Sequence, residues 1–428
     1  MIILKKIRLS SLIKHGVAVA LLLALAPAAR PIIDSAAHNA SINKAIGVAA
    51  KGTPEEMVLA AIDAIREGRY KDAEATLDQL LTAEPNYRLA HLLRADLYAM
   101  RAMPLNSIGG GSKGPTDRLE DLRQEALVRI KRRTSPPPAN ALPANVLVFS
   151  SKQKYAVVVD TSVSRLFLFE NQGGTPKLVR DHYVTIGKLG AQKVREGDQR
   201  TPLGVYFVTS HMPRSQLDKT YGAQADLYGV GAWPISYPNE WDKREGRTGH
   251  GIWLHGSPAQ TYARAPQASN GCVVLTNPEM SQVAEHLQIG STPVVITEKL
   301  EWLPQQEWQQ RKEKALAKIE SWRSAWEKLD TTTYLGHYGQ QFRSEDGQDL
   351  ASWQSQKTSV NSSKQWAKIQ LEELSIFSSG GTAPMLVTSF GQDYKSNNLN
   401  NNMKKRLYWK QENGDWRIVW EGAANKGA

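Results

Sequence analysis

Cys272 is the only cysteine of the chain and follows His255 by 17 residues. His255 ends the apolar run "IWL" in "GHGIWLHGSP", and Cys272 sits in "ASNGCVVLTN", directly after Asn270 and Gly271. That separation is long enough for a loop to fold back and bring imidazole to sulfur. A free thiol titrates at about pH 8.5 and is mostly protonated at neutral pH. A histidine that takes the proton gives a thiolate-imidazolium pair and a usable nucleophile. The residue types therefore predict Cys272 as nucleophile and His255 as base. Gly271 has no side chain and lets backbone approach a substrate. The amides of Gly271 and Cys272 are then expected to face the oxyanion of a tetrahedral intermediate, where one such donor is worth about 2.7–4 kcal/mol. The competing reading of any lone cysteine is a small buried hydrophobe with no chemistry.

A metal site is the other chemistry these types allow. His250 and His255 lie five residues apart with Cys272 near them in the fold, which sketches a zinc site. Five residues along a strand put two side chains on opposite faces, and no second cysteine or acidic ligand accompanies them. No metal and no cofactor are expected. His182, His211, His286 and His337 have no matching partners and read as surface or packing residues.

The start of the chain, "MIILKKIRLSSLIKHGVAVALLLALAPAA", has a basic stretch (Lys5, Lys6, Arg8, Lys14), an apolar stretch from Gly16 to Leu25, and small residues through Ala29. This is the layout of a signal peptide over 1–28, cleaved near Ala26 or Ala28. Its apolar part has 10 residues, against about 20 for a spanning helix. The protein is therefore expected to be exported, periplasmic or envelope-associated. Exported chains use cysteines in pairs, so an unpaired one calls for a chemical reason. Without the four basic residues of the leader the formal charge falls from +11 to +7, an excess that suits a polyanionic partner such as a cell wall. No basic run is interleaved with aromatics, so no nucleic-acid partner is expected.

Several elements must position these residues. Residues 29–52 read as a flexible tether. Residues 53–134 are helical, and "EGRYKDAEATLDQLLTAEPNYRLA" is similar to a tetratricopeptide repeat, with Gly68, Tyr70, Ala73 and Pro85 at the repeat's places. A single copy cannot bury a core alone, so the region should dock, on its own catalytic domain or by self-association or on another protein. "SPPPANALPAN" (135–145) is a proline-rich linker. From 146 to 300 short apolar runs such as "YAVVVD", "SRLFLFE" and "GVYFVTS" recur at strand spacing, predicting a β-rich domain. After Pro304, Trp308, Ala315, Ile319, Trp322, Trp326 and Leu329 form a helical stripe. Strand runs follow, ending in a hairpin turned at Asn413-Gly414. This order, over 305–425, resembles a nuclear-transport-factor-like α+β cone. The fold class is thus multidomain: a helical region, a central β-rich domain and an α+β cone. Removal of 305–428 is expected to spare the central fold, whose motifs end before Pro304.

"GDQRTPLGVY" at 197–206, "HGSP" at 255–258 and "SNGC" at 269–272 occur in the order and style of the L,D-transpeptidase catalytic domain, a family of peptidoglycan enzymes that this region resembles. The resemblance implies that Cys272 attacks, that His255 is its base, and that the Gly256 carbonyl orients the imidazole. Ser269, Asn270 and Gly271 would shape the nucleophile loop, while Arg200, Thr201, Pro202 and Gly204 would build the domain. Where many members carry Arg or Asn two residues after the cysteine, this chain has Val274; Arg264, on the intervening loop, is the replacement expected to bind a substrate carboxylate. Tyr228, Trp233 and Tyr237 are candidates for a substrate-side wall, with core packing as the alternative. The implied substrates are peptidoglycan stem peptides, cut after a diaminopimelate centre. Transfer to an amine makes a transpeptidase, the leading expectation. Transfer to water makes an L,D-carboxypeptidase that trims tetrapeptide to tripeptide, and a cone after the catalytic domain is similar to the layout of such carboxypeptidases acting in cell-shape control. A noncatalytic wall-binding scaffold is the reading from a different class.

Overall fold

The computed structural model describes residues 52–380 and 384–424; the leader expected at 1–28, nearly all of the tether and the last residue of the expected cone lie outside the described residues. Four helices come first: α1 (Pro54–Arg66), α2 (Tyr70–Ala83), α3 (Arg88–Ala99) and α4 (Thr116–Thr134). The start of α1 is set by its sequence, because the Thr53 hydroxyl accepts from the Glu56 amide at 3.2 Å and the Glu56 carboxylate accepts from the Thr53 amide at 2.7 Å. Leucines and alanines at helical spacing, among them Ala61, Ala73, Leu77, Leu80, Leu93 and Ala126, close one core that also takes in Ala263 of the β-rich domain. The helical region is thus docked on its own chain. No helix of the described residues is long and apolar enough to cross a membrane.

The central domain is two packed sheets. The larger runs, in spatial order, Thr175–Tyr183, Arg165–Gln172, Tyr155–Asp160, Pro293–Thr297 and Gly204–Phe207. Its central strands are apolar at nearly every position rather than at alternate ones, which is the mark of a sheet buried on both faces, while the edge strand Thr175–Tyr183 is largely polar. Val157, Val159, Leu166, Leu168, Tyr206, Val294 and Ile296 face the second sheet of the domain, with Leu254 and Val273. Ala156, Val158, Phe167, Phe169, Val205, Phe207 and Val295 face the other way, into a cluster with Phe377, Met385, Val387, Tyr408, Val419 and Trp420 of the C-terminal region.

The C-terminal region is a six-stranded, mostly antiparallel sheet with the helices Gln305–Glu327, Thr331–Leu335 and Leu350–Ser362. The predicted tryptophan stripe is buried, with Trp308, Trp322 and Trp326 in a core shared with Tyr334, Phe342 and Trp409. Asn413 and Gly414 both have positive φ, 54° and 79°, the two-residue turn that the Asn-Gly pair favours.

Two expectations are corrected here. Residues 135–145 are not only a linker, since Ala141–Pro143 pairs antiparallel with Trp302–Pro304. Val146–Val148, expected to open the central domain, instead adds a strand to the C-terminal sheet beside Ala367–Ser378. The C-terminal region packs directly on the central domain. It covers a full apolar face of the central sheet, and a buried ion pair crosses the boundary: both Glu240 carboxylate oxygens accept from Arg406 Nη1, at 3.0 and 2.9 Å, and Tyr408 adds its hydroxyl at 2.8 Å.

Candidate active site

Strand Trp253–His255 pairs in parallel with Val273–Val274, with Leu254 opposite Val273 and His255 opposite Val274. Leu254 and Val273 point into the core. Side chains alternate along a strand, so Trp253 and His255 share the opposite face. Cys272, one position before the pair, falls beside Trp253 on that face. The Trp253 N–H is directed at the Cys272 sulfur, and the Arg264 charge acts on both the thiol and the imidazole. The site is therefore assembled across two adjacent strands, with Arg264 on the loop that joins them, close enough for its charge to act on both groups.

His255 is buried, and its Nδ1 lies 2.7 Å from the Gly256 carbonyl oxygen. A carbonyl can only accept, so Nδ1 carries the hydrogen and Nε2 keeps its lone pair. Gly256 has no room for a side chain, because a Cβ there would lie 2.1 Å from the Asn277 side-chain oxygen. Cys272 is partly exposed, and its Sγ donates to the Gly251 carbonyl at 3.3 Å.

Burial pushes the thiol up to about 11, against the Trp253 N–H and the positive charges of Arg264 and Lys193. Burial likewise pulls the imidazole down to about 4, opposed by the Gly256 carbonyl and assisted by Arg264. Both groups are neutral between those values. These shifts favour a neutral thiol and a neutral imidazole at rest over the thiolate-imidazolium pair expected from the residue types. The proton must move as the sulfur attacks.

The loop that carries Cys272 is closed by Ser269 and Gly271. Ser269 donates to the Cys272 carbonyl at 2.6 Å and accepts from the Gly271 amide at 3.1 Å. The Gly271 amide is therefore taken and does not face an oxyanion, which corrects that expectation. The Cys272 amide has no acceptor among the described residues. Gly271 has φ 124° and a Cβ would lie 2.7 Å from the Arg200 carbonyl, so only glycine fits. Asn270 is exposed and accepts from the Gln199 side chain at 3.3 Å. The "GDQRTPLGVY" segment serves as scaffold: the Thr201 hydroxyl donates to the Gly271 carbonyl at 2.9 Å, and buried Tyr206 donates to Asp242 at 3.1 Å.

Of the wall candidates, Tyr228 is at the site, its ring edge-on to His255 with centroids 5.3 Å apart. Trp233 and Tyr237 are instead core residues, 7% and 6% exposed; Trp233 stacks on His211 at 4.4 Å and the Tyr237 hydroxyl donates to the Thr248 carbonyl. Arg264 donates to the Ala268 carbonyl and has no carboxylate partner among the described residues. Val274 is buried at 2% exposed and carries no charge; of the two cations that act on the thiol, Lys193 is paired with Asp198. Residues that sequence reading missed are Trp253, whose ring lies 4.8 Å from Tyr228, and Tyr221, 5.5 Å from Tyr228. The signal for Trp253 was present, two residues before His255 on one strand. Lys193 was missed too: it is buried, paired with Asp198 at 2.7 Å, and its charge reaches the thiol only through the folded loop.

Comparison with known proteins bears on this geometry. Residues 154–296 match the L,D-transpeptidase catalytic domain and residues 314–422 match the Cds6 C-terminal NTF2-like domain. Among solved structures, the chain is similar to Bdellovibrio bacteriovorus Bd1075, with 28% identity over 66% of this chain and 98% of that one and a TM-score of 0.57. It is also similar to the helical cell shape determining protein Pgp2 from Campylobacter jejuni, with 26% identity over 65% of this chain and 95% of that one and a TM-score of 0.55. No curated protein sequence matched. The chain thus carries an L,D-transpeptidase catalytic domain over 154–296 and, built onto its outer face, an NTF2-like domain of the Cds6 C-terminal type.

Proposed function

We propose that the protein is a cysteine acyl-transfer enzyme of peptidoglycan stem peptides that passes the acyl group to water, trimming tetrapeptide to tripeptide. The observation that carries the chemistry is an imidazole whose Nδ1 is held at 2.7 Å by the Gly256 carbonyl, on the strand beside Cys272 and on the same sheet face, within an L,D-transpeptidase domain. As Sγ attacks the carbonyl carbon after the diaminopimelate centre, His255 Nε2 takes the thiol proton. The C–N bond then breaks, the leaving amine takes that proton, and a thioester remains. Water attacks the thioester with Nε2 as base, restoring the thiol and releasing the shortened stem. The Cys272 amide is the free backbone donor for the oxyanion, and Arg264, without an acidic partner, pairs the terminal carboxylate.

Water as acceptor is supported by the combination of this catalytic domain with an NTF2-like domain, the layout that resembles the L,D-carboxypeptidases of cell-shape control, and the chain is similar over 65% of its length to a helical cell shape determining protein. Transfer to an amine of a second stem is the second reading, favoured by the catalytic-domain match itself. Such substrates lie outside the cytoplasmic membrane, so the proposal includes export. Incubating the purified protein with disaccharide-tetrapeptide, followed by mass analysis, separates the readings. Tripeptide is the expected product; crosslinked dimer or amine-exchange product would replace hydrolysis by transpeptidation; and unchanged substrate would remove the enzymatic reading.

A further inference from the structure

The loop that carries Arg264 is held on one side by the helical region and on the other by the central sheet, whose tyrosine is itself backed by a helical-region side chain. On its outer side the Tyr262 ring packs on Tyr87, with centroids 4.5 Å apart. The Tyr262 amide donates to the Asn86 carbonyl at 3.4 Å, the Asn86 side chain donates to the Ala259 carbonyl at 3.3 Å, and Ala263 is buried in the helical core. On its inner side the Tyr183 hydroxyl donates to the Arg264 carbonyl at 2.7 Å. One side chain of the helical region backs both rings: the Arg129 guanidinium lies 4.1 Å from the Tyr183 centroid and 5.5 Å from that of Tyr87. Arg129 is 1% exposed and paired with Glu125 at 2.9 Å and with Glu55.

A buried charge cluster of this kind is a poor source of stability, since apolar residues of like volume often do as well or better. What it provides here is a fixed geometry, with one cation holding the outer and inner ring at once. The Tyr87 hydroxyl is buried without a partner among the described residues, so the aromatic face is the part in use.

Resting on the catalytic reading above, we propose that the helical region is a positioning device for the acyl-transfer site: Tyr87 and Asn86, acting through Tyr262 and Ala259, fix the Arg264 loop beside Cys272 and His255. These are positioning residues that act through Arg264 and touch no substrate. A misplacement on the order of 1 Å of a binding group costs up to about a hundredfold in rate.

The test uses the full chain and disaccharide-tetrapeptide. Tyr262→Ala should lower kcat/KM about ten- to a hundredfold, Tyr262→Phe should restore it, and labelling of Cys272 by a small thiol reagent should keep its wild-type rate. Tyr262→Ala combined with Arg264→Ala should be no worse than Arg264→Ala alone, because both remove one contact. Additive losses, or wild-type kcat/KM in Tyr262→Ala, overturn the proposal. Amide hydrogen exchange over 259–265 without substrate reads the clamp independently of activity. Exchange there should accelerate about tenfold or more in Tyr262→Ala and in the milder Asn86→Ala, whose side chain is exposed and leaves the helical core intact; unchanged exchange in both refutes the clamp. An inactive wild type with accelerated exchange in the variants would strike only the catalytic reading.

Discussion

Replacing Arg406 by Met tests whether the two domains share one structure. Arg406 is 1% exposed, its side chain touches Glu240 at 3.0 and 2.9 Å, and Ser389 Oγ accepts from its Nε at 3.0 Å. Methionine fills much of the volume but leaves the Glu240 carboxylate, itself almost fully buried, with the Tyr408 hydroxyl as its remaining side-chain donor. Breaking a buried pair by removing one partner costs about 3–5 kcal/mol, a large part of the roughly 5–15 kcal/mol of a typical native state. The pH dependence supplies a sign. In the wild type burial raises the Glu240 carboxyl, but the Arg406 charge and the hydrogen bonds outweigh it, and its pKa lies below 4.5. Its stabilising effect is thus present above the unfolded value and is lost as pH falls through the folded one. In Arg406→Met burial acts with little opposition, the folded pKa rises above the unfolded value, and the variant gains relative stability on acidification. Urea unfolding followed by tryptophan fluorescence should show the full gap at about pH 7 and a narrower one at about pH 5. Glu240→Gln added to Arg406→Met should recover most of the loss. A gap below about 1 kcal/mol, or one that widens with acid, refutes the reasoning.

Cys272→Ser and His255→Ala should each lower turnover of disaccharide-tetrapeptide by more than about a thousandfold with circular dichroism unchanged. The labelling rate of Cys272 by a thiol reagent should climb about tenfold per pH unit from neutrality without levelling off below about pH 10, because burial lifts the thiol to about 11; a plateau near pH 7 would show an ion pair instead. Arg264→Ala should raise KM for the tetrapeptide about tenfold or more, and Arg264→Lys should fall between, since lysine lacks the two-pronged match to a carboxylate; wild-type KM in both would leave the arginine without that role. Deleting 305–428 should yield an aggregating or unfolded chain by size-exclusion chromatography and circular dichroism, because it strips the cover from Phe167, Phe169 and Phe207.

The placing of Cys272 and His255 on one sheet face was legible in the sequence because strand alternation and short loop motifs are local: "IWLH" puts Trp253 and His255 on one face, and "SNGC" needs its serine and glycine for a turn that closes within four residues. The Asn413-Gly414 turn and the tryptophan stripe of the C-terminal helix were legible for the same reason. Even the second cover of the central sheet left a trace, in strands such as "YAVVVD" that do not alternate with polar residues, although nothing in those residues says what provides it. Tertiary structure alone decided the rest. Whether an amide faces a substrate depends on its competing partner, and Ser269 takes that of Gly271. Whether an aromatic lines a wall depends on what lies against it, so Trp233 and Tyr237 went to the core while Tyr228 stayed at the site. The protonation of Cys272 and His255 was hidden most deeply, because desolvation and the charges of Arg264 and Lys193 exist only once distant segments of the chain have closed around them.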